Sequence, residues 1–140
     1  KTFPLRMERQ CRNACRLASW LASHPRVEKV NFPSDPHHPD APTVQRLFPK
    51  DLYGGMVSFE LKDAGRDEVF AWMDRLKLVV RGTSLGDVHT MVLYPAMSSH
   101  REVAPKQREK LGIRDSLVRV STGIEAAEDI IADIEQAFET

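Results

Sequence analysis

Cysteine is scarce in this chain: Cys11 and Cys15 are the only two among 140 residues. Two thiols four apart on a helix-like stretch, with no further His or Cys at ligand spacing, support neither a disulfide framework nor a zinc site. The plain reading is a pair of small apolar core residues. An excess of charge of one sign is also missing. Lysine plus arginine equal aspartate plus glutamate at 20 each, so the net charge is zero. A dedicated nucleic-acid binder normally carries a clustered basic excess, and that class is disfavoured. No apolar run approaches the roughly 20 residues that span a bilayer, and the start does not resemble a signal peptide. The cytoplasm is the expected compartment.

What remains is an ordinary globular composition, 41% hydrophobic and 29% charged, at a length typical of one domain. The opening Lys1-Thr2-Phe3-Pro4-Leu5-Arg6 lacks an initiator methionine and runs almost at once into a helix, which predicts a piece of a longer polypeptide. From Leu5 to Ala22 the residues Cys11, Ala14, Cys15, Ala18, Leu21 and Ala22 recur at helical spacing, with Arg9, Arg12 and Arg16 on the rest of the surface. Strands are expected at Val27–Phe32, Met56–Leu61, Lys77–Arg81, Met91–Tyr94 and Leu117–Val120. Helices are expected from Thr43, as cap, to Leu47, and over Gly65–Leu76, Pro105–Leu111 and Glu125–Phe138. Val69, Phe70, Met73 and Leu76 should form the inner face of the Gly65–Leu76 helix, with Trp72 at its margin. Without a regular βαβ rhythm, this order predicts an α+β fold: a small, largely antiparallel sheet with helices packed on one face.

Two places could carry chemistry. Arg119 stands among aliphatic residues in Leu117-Val118-Arg119-Val120, where a guanidinium is costly unless paired. Its planar fork suits a carboxylate, although the pattern alone favours a solvent-facing arginine or one bound to an internal acid. Thr83-Ser84-Leu85-Gly86-Asp87 follows a strand and can present hydroxyl and backbone groups to a ligand, as any ordinary turn also can. His89 lies near Ser84, but no spacing argues for a hydrolase triad. His37 and His38 share a proline-rich loop without an identifiable third metal ligand, so no metal site is expected. Gly54-Gly55 precedes a strand rather than a helix, which favours a turn or a close backbone approach over a phosphate cradle.

Ser84-Leu85-Gly86-Asp87, Tyr94-Pro95-Ala96-Met97-Ser98-Ser99-His100, Leu111-Gly112-Ile113 and Leu117 through Glu125 occur in that order. Together they resemble the carboxy-terminal signature of the Cys/Met-metabolism enzymes that depend on pyridoxal phosphate. Lys1-Thr2, Leu5-Arg6-Met7-Glu8-Arg9, Asn13-Ala14 and Gly54 to Phe59 extend the resemblance over the full length. It implies the carboxy-terminal small domain of an aspartate-aminotransferase-type fold, spanning 1–140. By resemblance, Arg119 would hold the α-carboxylate of a sulfur amino acid, with Thr83 and Ser84 beside it. The family's cofactor lysine lies in a Ser/Thr-rich context, which none of Lys1, Lys29, Lys50, Lys62, Lys77, Lys106 and Lys110 has. Pyridoxal phosphate is therefore expected in a longer parent, held by a preceding domain, and no catalytic residue is expected in this stretch. A homotetrameric parent is implied. Asp87 is reminiscent of methionine gamma-lyase-like members, which tilts the expectation toward C–S lyase activity over cystathionine gamma-synthase or sulfhydrylase activity. The competing class is a stand-alone amino-acid-binding regulatory module without catalysis.

Overall fold

The structure, a computed structural model, describes residues 1–139. It opens with the long helix α1 (Phe3–Ala22), with Pro4 in the first turn, where its missing N–H costs nothing. Then follow β1 (Val27–Asn31), α2 (Ala41–Leu47), β2 (Met56–Leu61), α3 (Arg66–Arg75), β3 (Val80–Arg81) and β4 (Met91–Leu93). After a short 3₁₀ turn at Pro95–Met97 come α4 (Pro105–Lys110), β5 (Leu117–Ser121) and α5 (Ala127–Phe138). The strands form one sheet in the order β1-β2-β5-β4-β3. All pairings are antiparallel except β3 with β4, and the expected α+β architecture is present.

Period-two alternation divides the sheet. Val57, Phe59, Val118 and Val120 are fully buried on the face where Ala14 and Leu17 of α1, Trp72 of α3, and Ile130 and Ile134 of α5 complete one core. The opposite face carries Ser58, Arg119 and Leu93, which stand side by side across β2, β5 and β4. The sequence pattern thus sends Val118 and Val120 of β5 to the helices, and Leu117 and Arg119 to the other face.

Several local expectations change. Only Val80–Arg81 pairs as a strand, because the backbone N–H groups of Lys77, Leu78 and Val79 donate instead to the Asp133 carboxylate at 2.8, 2.9 and 2.8 Å. Asp133 sits on α5, is only 7% exposed, and so staples that helix to the chain leading into β3. Trp72 is core rather than margin, packed edge-on against Phe59 at 5.7 Å, while Phe70 is partly exposed and lies against Tyr94. The helical register places residues 69, 72 and 73 inward, which leaves Phe70 off that face. Thr43 does not cap α2, which already begins at Ala41. Glu125 precedes α5 and has a different role, described below. At α3 the Gly65 N–H donates to the Glu68 carboxylate at 2.9 Å, and backbone N–H groups hold that carboxyl below its usual range.

Candidate functional site: a carboxylate-binding face

Arg119 occupies the middle of the central strand, opposite Ser58 on one side and Leu93 on the other. Its side chain is half-buried. Among the described residues no carboxylate lies within ion-pair distance of it, unlike Arg108, which meets Asp115 at 2.7 Å, and Arg114, which meets Glu60 at 3.2 Å. The Arg119 Nε–H is buried without an acceptor. Nη2 donates weakly to the carbonyls of Thr83 and Ser84, at 3.4 and 3.5 Å. A buried donor left unpaired on a charged group costs free energy, and a carboxylate accepting the fork would recover it.

Thr83 and Ser84 therefore come to Arg119, but by their peptide oxygens; both residues are exposed. Their segment, Gly82–Thr90, is pinned to the sheet at its middle, where the Gly86 N–H donates to Ser121 Oγ at 2.9 Å. Gly86 has φ of +73°, a left-handed conformation that glycine adopts without steric cost. Ser121 lies two residues beyond Arg119 on the same face of β5, so one strand supplies both the guanidinium and the anchor of the loop beside it.

A second group of polar residues locks the base of this loop. The Glu125 carboxylate accepts the Thr90 N–H at 2.6 Å and the Thr90 hydroxyl at 2.8 Å. The Gly123 N–H donates to Thr90 Oγ1 at 2.9 Å. Asn13 of α1, 2% exposed, gives its amide to the carbonyls of Gly123 and Glu125 at 3.0 and 2.9 Å. Gly123 is required by space: a Cβ there would stand 2.3 Å from the Val88 carbonyl oxygen and 2.6 Å from the His89 carbonyl carbon. Gly123→Ala should therefore displace the loop and lower stability by about 1–3 kcal/mol in urea denaturation, a cost typical of overpacking. A loss below about 0.5 kcal/mol would show that the junction yields freely.

Sequence reasoning did not single out Gln10, Asn13, Thr90 or the Glu125 carboxylate for this junction. The available signal was two amide side chains, Gln10 and Asn13, three apart inside an otherwise small and apolar stripe. Other polar candidates do not join the site. Cys11 is buried and Cys15 half-buried, both free, and burial pushes the Cys15 thiol up to about 11, with Asp51 and Cys11 adding to the rise. No cluster of three metal-binding side chains occurs among the described residues, so His37 and His38 gain no third ligand. No helix among those residues is long and apolar enough to cross a membrane. Gly54 has φ of +96°, and Gly55 beside it lies close to α1 and Thr122, where a Cβ would stand 3.3 Å from Gln10 Cβ.

The domain is a mixed sheet backed by helices, with an arginine on its other face that has no acidic partner among the described residues and a polar loop beside it. The chain belongs to the Cys/Met metabolism PLP-dependent enzyme family, whose sequence model matches residues 1–139. It is 44% identical over 139 residues to an L-methionine gamma-lyase of Fusobacterium nucleatum, covering 99% of this chain and 34% of that protein. A cystathionine beta-lyase of Coxiella burnetii is 39% identical over 138 residues, covering 99% of this chain and 35% of the relative. Among solved structures, cystathionine gamma-lyase from Lactobacillus plantarum, complexed with L-serine, superposes with a TM-score of 0.89 at 33% identity. That match covers 98% of this chain and 35% of the other. The chain thus spans about a third of the length of these relatives.

Proposed function

We propose that this chain is the carboxy-terminal, substrate-carboxylate-binding domain of a longer pyridoxal phosphate enzyme that cleaves the carbon–sulfur bond of a sulfur amino acid, with methionine gamma-lyase-like chemistry favoured. The observation that carries this reading is the half-buried Arg119 guanidinium, which has no acidic partner among the described residues and a buried, unaccepted Nε–H. An amino acid's α-carboxylate supplies the two acceptors that such a fork suits. The bound L-serine of the Lactobacillus plantarum relative is a ligand of the same chemical type.

The residues present do not themselves fit the cofactor. All seven lysines, Lys1, Lys29, Lys50, Lys62, Lys77, Lys106 and Lys110, are exposed, and none is buried as a sheltered Schiff base would be. Pyridoxal phosphate, which acts as an electron sink for carbanions when bound, would be held by polypeptide outside this stretch. What this chain contributes is position and charge. Arg119 would fix the carboxyl end of the substrate, and the Thr83–Ser84 peptides would set the direction of the guanidinium. The Ser84 hydroxyl would stand at the rim beside the ligand. Its partners would be the missing cofactor-binding part of the chain and, in the assembled enzyme, further copies of it in the cytoplasm.

The test is substrate turnover by the full-length protein with pyridoxal phosphate. L-Methionine should release methanethiol, with L-cystathionine cleavage and O-acetyl-L-homoserine plus sulfide assayed alongside to separate lyase from sulfhydrylase action. Inactivity on all three would overturn the reading. Tight amino-acid binding by the 140-residue chain alone would instead favour a regulatory module.

A further inference from the structure

Resting on the carboxylate-site reading above, we propose that Gln10 of α1 is a positioning residue: it holds the Gly82–Thr90 loop in the place where its peptide oxygens meet Arg119. Gln10 is 1% exposed, on the buried stripe of a helix whose neighbours there are Cys11, Ala14 and Leu17. An amide so deeply buried is costly unless its polar atoms are satisfied. Its Nε2 donates to the Asp87 carbonyl at 2.6 Å, and its backbone carbonyl accepts the Thr122 hydroxyl at 2.8 Å. One residue therefore ties the loop on one side and the exit of β5 on the other.

The neighbouring turns of α1 act in the same sense. One turn earlier, Arg6 Nη1 donates to the Gly86 carbonyl at 3.0 Å, and one turn later Asn13 holds Gly123 and Glu125. Positions 6, 10 and 13 line one helical face, and each takes a carbonyl from the loop or from the segment after β5. Arg6 is half-buried and its bond lies open to water, whereas the Gln10 bond is partly sheltered. Gly55 brings the start of β2 close to α1 at this point: a Cβ on it would lie 3.3 Å from Gln10 Cβ. Between Asp87 and Ser84 the backbone has only Leu85 and Gly86, and Gly86 is itself fastened to Ser121. Releasing the Asp87 carbonyl would thus loosen the peptides that steady Nη2 of Arg119, without touching the guanidinium or any ligand.

Gln10→Met keeps the length and removes the donor; Gln10→Asn keeps the amide but falls short of Asp87. In the full-length protein loaded with pyridoxal phosphate, either folded variant should raise KM about 5- to 10-fold, for whichever of L-methionine and L-cystathionine the enzyme turns over, a hydrogen bond's worth. The turnover number should stay within about twofold, since no reacting atom is touched. In the 140-residue chain, amide exchange of the 85–89 segment should quicken about tenfold while that of β2 and β5 is unchanged. An unaltered KM in a folded variant, or a fall in turnover number alone, overturns the proposal. Arg119→Ala run in parallel separates the two readings. If it raises KM and the Gln10 variants do not, only the role of Gln10 fails; if it leaves KM unchanged, the carboxylate reading fails first.

Discussion

Arg119→Ala in the cofactor-loaded full-length protein should raise the Michaelis constant for the amino acid about 30- to 1000-fold, corresponding to roughly 2–4 kcal/mol for a charge-assisted, partly desolvated pair. The effect should fall mainly on KM, because a carboxylate distant from the bond being broken is held alike in ground and transition states. Removal should be better tolerated by the fold than by the ligand site, since the guanidinium has only two long hydrogen bonds to peptide oxygens and no ion pair among the described residues. Arg119→Lys keeps the charge but loses the planar fork, and should restore only part of the affinity. Steady-state kinetics of the three proteins decides the matter. A Michaelis constant unchanged in the alanine variant would remove Arg119 from the site.

Asp133→Ala should be among the most destabilising single changes in the chain, at about 2–4 kcal/mol. The carboxylate accepts three successive backbone N–H groups from Lys77, Leu78 and Val79, and also approaches the Gln136 amide at 3.2 Å. Alanine would leave those donors without an acceptor, and Val79 is itself only 4% exposed. The thermal midpoint should drop by about 6–15 °C for a domain of this size. Asp133→Asn keeps one acceptor oxygen and should lose about half as much. Denaturation of the two variants reads the difference; an alanine variant within about 0.5 kcal/mol of the parent would mean that water replaces the carboxylate at no cost.

Much of this molecule was legible before any coordinates. The elements were readable because strands such as Met56–Leu61 alternate cleanly and α5 repeats its aliphatic residues at helical spacing. Arg119 was conspicuous for being charged in an aliphatic strand. Three things were not legible, each for a physical reason. The segment Lys77–Val79 is composed like a strand, but a carboxylate 54 residues distant from Val79 takes its donors, and no local pattern reports that. Trp72 turns inward and Phe70 does not, because the buried stripe of α3 runs through residues 69, 72 and 73, and the rotation of the helix against the sheet is set by its neighbours. The ties from Gln10 and Asn13 link residues some 77 to 112 positions apart, and a polar residue in a helix reads as solvent-facing until its neighbours are known. The family resemblance supplied roles for Arg119 and Ser84 but none for these helix amides.

The lone parallel pairing at the sheet's edge has a consequence for how such a domain can change over time. Adjacent strands that run the same way cannot be joined by a tight turn, so the polypeptide between Arg81 and Met91 must double back before it can re-enter the sheet. The excursion beside Arg119 is therefore an obligation of connectivity. Trimming it would break the edge of the sheet, whereas altering its side chains would leave the return path intact. This stretch can therefore change its side chains without cost to the sheet, but cannot be shortened to a tight turn.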